Sequence, residues 1–227
     1  MKSARQLTLD WPHAPSLARE DFLAAPSNAE ALRAIDAWRE WPGRVLAILG
    51  PSGSGKTHLG AMWAREAGAL SVAGDRIDAL DLASLPADPR LLVDGADRVG
   101  SHEAAFFHAL NAVRERGGTV LMTASSAPGH WGVRTPDLLS RLRLAPLAHL
   151  QAPDLDLIRM VLFKLFADRQ LIVDASLVNY LAPRLERSIA AARAVVAALD
   201  HEALSRGRKI TRAIAAEVLA LEGSDED

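Results

Sequence analysis

Two hydrophobic rhythms share the first 150 residues of the chain, and only one continues beyond them. Short, nearly unbroken apolar runs fall at residues 45–49, 69–73, 91–94, 119–123 and 144–150. Runs of that length without polar alternation mark strands buried on both faces. Between them apolar residues recur three and four apart: Ala31, Ile35 and Trp38; Leu59, Met62 and Trp63; Phe106, Leu110 and Val113. Strands alternating with helices predict an α/β fold, a five-stranded parallel sheet flanked by helices.

After Pro153 the strand rhythm stops. Leu155, Ile158, Val161, Leu162, Leu165 and Phe166 predict an amphipathic helix. Further helices are expected over 174–183, 188–204 and, capped by Thr211, to about 221. The expected division is a tail over 1–18, an α/β domain over 19–152, a small all-α domain over 153–222 and a disordered acidic end over 223–227. Ser27 or Asn28 is the expected N-cap of the first helix, which runs through Trp38 until Trp41-Pro42-Gly43. Ser101 should cap a helix reaching about 116. Thr135, with Pro136 at the first helical position, should cap a short helix over 137–142.

The chemistry gathers at the end of the first strand. Gly50-Pro51-Ser52-Gly53-Ser54-Gly55-Lys56-Thr57 fits the phosphate-loop pattern G-x-x-x-x-G-K-[ST] at every fixed position. A strand feeding such a loop, with a helix opening at His58, surrounds one anion with backbone N–H groups and aims a helix N-terminus at it. Lys56 would reach the outer phosphates and the Thr57 hydroxyl would ligate Mg²⁺. Asp94, ending the third apolar run, stands where a second carboxylate near that ion belongs.

Composition narrows the alternatives. Half of the 227 residues are apolar and the net charge is −2, so a core is available and a global basic field for nucleic acid is not. Without cysteine there are no disulfides, thiol nucleophiles or thiolate metal sites. No apolar run approaches a membrane span and no signal peptide is evident, so a cytoplasmic protein with no membrane partner is expected. Gln6, Leu7, Leu9 and Trp11, ahead of Pro12 and Pro15, either pack on their own domain or dock in a partner's apolar pocket.

These segments, in this order, resemble the AAA+ ATPases and, within them, the family of the bacterial replication initiator DnaA. Phe22-Leu23-Ala24-Ala25-Pro26-Ser27-Asn28 is similar to the family's segment over the nucleotide base. Gly50 to Thr57 resembles its Walker A, and Leu91 to Asp94 its Walker B. Thr123 and Ser125 fall at sensor 1. Pro136-Asp137-Leu138-Leu139-Ser140-Arg141-Leu142 resembles the helix whose arginine reaches a neighbour's γ-phosphate. The chain stops after the helical lid, where an initiator would continue into a DNA-binding domain. That arrangement resembles the Hda-type regulators, and Gln6-x-x-Leu9-x-Trp11 is similar to the peptide with which such proteins dock on the sliding clamp.

The resemblance implies ADP (or ATP) with Mg²⁺ as cofactors. Gly50, Pro51, Ser52, Gly53, Ser54, Gly55, Lys56, Thr57, His58, Phe22, Leu23, Asn28 and Arg193 would bind the nucleotide, and Thr57 and Asp94 would hold the metal. It also implies DnaA and the DNA polymerase III sliding clamp (β subunit) as partners, with DNA reached indirectly through the clamp. Tethered there, the protein would insert Arg141 into the ATP site of DnaA as an arginine finger and repress re-initiation. Two departures matter. Gly95 replaces the usual second acid of Walker B, so weak or no intrinsic ATPase activity is expected; Asp97 would have to be re-aimed to help. The usual sensor 2 arginine is Ala190, with Arg193 one helical turn later. The alternative is an active AAA+ ATPase of the helicase-loader (DnaC/IstB) type. A module that nucleotide merely stabilises and a small-molecule kinase are further rivals. A homo-oligomer stays open, as does direct DNA contact through the basic residues of 184–212.

Overall fold

A computed structural model describes residues 17–206 and 209–222, so Gln6, Leu7, Leu9, Trp11 and the acidic end lie outside the described residues. These residues divide into two compact units, one over 17–152 and one from 153 on.

The first unit is the expected five-stranded sheet. Its strands are β1 (Val45–Leu49), β2 (Leu70–Ala73), β3 (Arg90–Asp94), β4 (Thr119–Ala124) and β5 (Leu147–His149). All are parallel, in the order β2-β3-β4-β1-β5. The helices are α1 (Ala29–Asp36), α2 (Lys56–Ala67), α3 (Glu103–Glu115) and α4 (Pro136–Leu144). Strand alternation sends Ala47, Leu49, Leu91, Val93 and Met122 to one core with Phe106, Val113, Leu138 and Leu142. Leu46, Ile48, Leu92 and Leu121 face the other, with Ile35, Leu59, Met62 and Trp63. Covering both faces is what made the strands read as unbroken apolar runs.

Several boundaries differ from the sequence reading. Helix α1 ends at Asp36, and Trp38 lies in a separate 3-10 turn. Asn28 stands at the N-cap position without a side-chain cap, because its amide bonds backward: Oδ1 accepts from Ala25 N at 2.9 Å and Nδ2 donates to Leu23 O at 2.8 Å. Ser101 sits in a 3-10 turn and α3 begins at Glu103. Thr135 precedes α4, but its hydroxyl donates to Glu103 rather than capping. The fifth strand loses its predicted start because α4 runs to Leu144, which is 81 % exposed.

The second unit holds α5 (Leu155–Asp168), α6 (Ala175–Leu181), α7 (Ile189–Arg206) and α8 (Arg212–Glu222). Here side chains do cap. Asp154 accepts from Leu157 N at 2.7 Å, Asp174 from Ser176 N at 2.7 Å, Ser188 from Ala191 N at 3.1 Å and Thr211 from Ile214 N at 3.4 Å. No helix among the described residues is long and apolar enough to cross a membrane.

Trp63 anchors α2 in the first unit. It is fully buried, stacked on Trp41 at 5.5 Å and edge-on to Trp38 at 6.1 Å. Trp63→Ala should cost about 3–5 kcal/mol, read as an earlier urea midpoint. Since α2 begins with Lys56 and Thr57, the loop that precedes it should loosen in parallel, read as faster amide hydrogen exchange at residues 50–57.

Candidate functional site

Strand order assembles the site. Strand β4 lies between β1 and β3, in register with both: Ile48 opposite Thr123 and Val93 opposite Met122. The carboxyl ends of three strands therefore bring the glycine loop, Asp94 and Thr123 side by side, the crevice where ligands of open parallel sheets bind.

The loop leaves β1 at Gly50, whose N–H donates to Ala124 O at 3.2 Å. A Cβ on Gly50 would lie 2.3 Å from the Leu150 carbonyl oxygen, so only glycine fits. Gly53 and Gly55 take φ of 70° and 102°, the left-handed region glycine enters freely. Lys56 opens α2 and bends back, donating to the Gly50 and Pro51 carbonyls at 2.7 Å each. Burial pushes its ammonium below the ordinary lysine value; Asp97 and then Asp94 oppose that shift, and Arg98 adds to it. The buried Ser54 hydroxyl has no partner among the described residues, while Pro51 and Ser52 are exposed. A cation, an unpartnered donor and a turn of backbone N–H groups suit a phosphate chain.

Asp94 organises the polar side. Thr57 Oγ1 donates to its two oxygens at 3.2 and 3.0 Å. Thr123 Oγ1 donates to Asp94 Oδ1 at 2.6 Å and accepts the Gly95 N–H at 2.8 Å. No group of three metal-ligating side chains occurs among the described residues. A hydroxyl and a carboxylate fit Mg²⁺, which keeps waters and takes phosphate oxygens for the rest.

Gly95 is where the arrangement departs from a site with two adjacent acids. Its φ is 70°, and its carbonyl accepts from Arg98 N at 2.9 Å. A Cβ on Gly74 would stand 2.1 Å from that carbonyl oxygen, so the peptide is wedged in place. The second carboxylate here is Asp97. Its Oδ2 accepts the Ser125 N–H at 2.7 Å, and among the charges acting on Lys56 it outranks Asp94. Ser125 thus meets Asp97 through its backbone N–H.

The segment before α1 closes beside the loop. Phe22 meets the His58 ring edge-on at 5.3 Å, and His58 Nε2 lies 3.2 Å from Ala18 O. Leu23 contributes the carbonyl that Asn28 holds. Phe22 and His58 are thus brought together, while Leu23 and Asn28 fix the segment that carries Phe22.

Arg141 stands exposed on α4. Its guanidinium donates to Asn111 Oδ1 and lies 5.0 Å from the Phe107 ring centroid. The start of α4 is tied down by Glu103, which accepts from Arg134 N at 2.9 Å, Thr135 N at 3.0 Å and Thr135 Oγ1 at 2.8 Å. Those hydrogen bonds, the one from Arg134 N foremost, hold the Glu103 carboxyl below its ordinary value. Arg193 belongs to the second unit, half-buried, with Nε unpartnered among the described residues; burial, then the charge of Arg169, lowers its pKa. Glu103 and Asn111 were missed in the sequence, which offers no spacing to connect them with α4.

No protein-family model matches the sequence. The fold is similar to that of domain III of the Thermotoga maritima replication initiation protein DnaA, with a TM-score of 0.77 at 20% identity over 92% of this chain and 98% of that one. AMPPCP-bound DnaA from Aquifex aeolicus gives 0.69 at 17% identity, over 84% of this chain and 67% of that one. The Thermotoga maritima RuvB Holliday junction branch migration motor gives 0.69 at 17% identity, over 91% and 72%. The chain therefore shares the fold of DnaA domain III.

Two predictions follow from this geometry. Gly95→Glu should lower stability by about 1–2 kcal/mol, because a non-glycine residue is strained in the left-handed region, and should not raise ATP turnover; calorimetry and a phosphate-release assay check both. Glu103 has a lowered folded pKa, so its stabilisation is whole above the ordinary carboxylate range and is lost as pH falls through the folded value. Glu103→Gln should flatten the acid limb of the stability–pH curve, measured by urea unfolding.

Proposed function

We propose that this chain is a nucleotide-bound regulator in the manner of Hda-type proteins: an adaptor that holds ADP (or ATP) with Mg²⁺, docks on a sliding clamp and stimulates hydrolysis of ATP bound to DnaA. The observation that carries the proposal is Gly95. Its left-handed backbone, wedged against Gly74, presents no side chain where a water-orienting acid would stand. The loop residues and Thr57 remain suited to hold a nucleotide, which favours retention over turnover.

In this reading the nucleotide supplies order, and the chain's own residues do the work. Lys56 and the loop N–H groups bind phosphates, and Thr57 and Asp94 hold the metal. Phe22, Leu23, Asn28 and His58 border the base. Thr123 and Ser125 form sensor 1. Arg141 acts on the partner. Its charge is oriented by a neutral amide and an aromatic ring, with no carboxylate pairing it among the described residues. A guanidinium delivered in that form can stabilise the charge of phosphoryl transfer in a neighbour's site. Gln6, Leu7, Leu9 and Trp11 would raise the local concentration by binding the clamp. The similarity of fold to DnaA domain III supports a regulator related to DnaA.

The test is hydrolysis of DnaA-bound ATP with clamp-loaded DNA, ADP and this protein. The wild type should accelerate it. Arg141→Ala should lose on the order of 10³-fold or more of the stimulation while keeping ADP and clamp binding. Gln6→Ala with Leu9→Ala should lose clamp dependence while still binding ADP. No acceleration by a folded, ADP-loaded wild type would remove the reading, and appreciable turnover by the isolated chain would favour the helicase-loader alternative.

A further inference from the structure

The all-α unit carries a feature that the nucleotide site does not use. A surface hollow of about 330 Å³ is lined by Ser176, Asn179, Tyr180, Arg184 and Arg212. The guanidinium carbon of Arg184 lies 4.0 Å from the centroid of the Tyr180 ring, and that of Arg212 lies 4.3 Å from the same centroid. Both are cation–π contacts against one ring. Arg184 is fixed further by Nη1 donating to Tyr180 O at 2.8 Å.

We propose that this hollow is a phosphate site that takes the sugar–phosphate backbone of duplex DNA, giving the protein a direct DNA contact. The first reason is charge without compensation. Arg19, Arg44, Arg90, Arg159 and Arg169 each meet a carboxylate within 4 Å. Neither Arg184 nor Arg212 has such a pair among the described residues. Asp174, the acid two residues before Ser176, is committed to capping α6. Each guanidinium lies against the ring without a carboxylate to neutralise it, so an anion in the hollow meets two uncompensated charges. Their planar forks are pre-oriented by stacking, which suits phosphate oxygens.

The second reason is the kind of surface. With two cations against the ring, the hollow offers charge rather than an aromatic platform, so it suits a backbone and not an unstacked base. Residues 180–212 carry seven basic and three acidic residues, in a chain whose net charge is −2. Arg187 and Lys209 in this stretch are exposed as well. A lone small phosphate needs one hollow, whereas a basic stretch around it suits successive phosphates of a duplex.

The experiment uses the full chain with ADP and Mg²⁺ and a short labelled duplex, with anisotropy read over a salt series and neither clamp nor DnaA added. Arg184→Gln with Arg212→Gln should weaken binding roughly ten-fold and reduce the slope of log K against log salt by about two. Arg184→Lys with Arg212→Lys, which keeps the charge but loses the planar fork, should keep the slope and bind between the wild type and the glutamine pair. Arg39→Gln with Arg65→Gln removes the same charge from the α/β unit and should leave binding unchanged. The proposal is overturned if the wild type shows no salt-dependent duplex binding, or if the control pair weakens it as much as the hollow pair. It is also overturned if inorganic phosphate binds the wild type but the duplex does not. Should the glutamine pair not fold, the lysine pair decides: a lost slope in that folded variant overturns the proposal.

Discussion

The hydroxyl of Thr123 is the joint on which the candidate site turns. It is buried at the end of the central strand β4, donates to the Asp94 carboxylate and accepts the N–H of Gly95. A buried hydroxyl that both gives and accepts fixes two neighbours at once, and removing it would strand a buried N–H. It therefore decides where the carboxylate at the end of β3 points, namely toward Thr57 and the glycine loop. It also decides the path of the chain after Asp94. With its N–H committed to Thr123, its carbonyl to Arg98 N and its backbone pressed on Gly74, residue 95 is held at positive φ. A glycine there answers the geometry of the turn. The missing second acid and the well-ordered first acid thus have one physical origin.

How much of this was legible follows from how local each cause is. The glycine loop joins β1 to α2 in one contiguous segment, so the pattern sufficed to read it, although Gly50 is also held by the distant Ala124 and Leu150. The parallel sheet was legible because burial on both faces leaves no polar alternation in β1, β3 and β4. The order β2-β3-β4-β1-β5 was not, since periodicity says nothing about which strand lies next to which. Asn28 and Thr135 carry the residue types of helix caps but are drawn off by partners, backbone groups at 23 and 25 in one case and the Glu103 carboxylate in the other. In the second unit no such competitor intervenes at Asp154, Asp174, Ser188 and Thr211, and Thr211, the cap read from sequence there, is a cap in the fold. Asp97 was legible as an acid but not as a participant. Its bond to Ser125 N crosses from the turn after β3 to the end of β4, a contact that exists only once the sheet has formed.

The arginines divide by what holds them, and the division bears on function. Where a guanidinium meets a carboxylate, as Arg19 meets Asp36 at 2.6 Å, its charge is spent locally and solvent screens the remainder. Arg141 is held by Asn111 and Phe107, and Arg184 and Arg212 by Tyr180. An amide oxygen or an aromatic face restricts rotamers and so removes part of the ordering entropy that binding would otherwise demand. Neither neutralises the cation. A side chain that is oriented yet still charged is prepared for an anion from outside the chain, whereas an ion-paired one must first break its pair. That distinction separates Arg141 and the Tyr180 pair from Arg19, Arg44 and Arg90, and it arises from the chemistry of the immediate neighbours rather than from exposure.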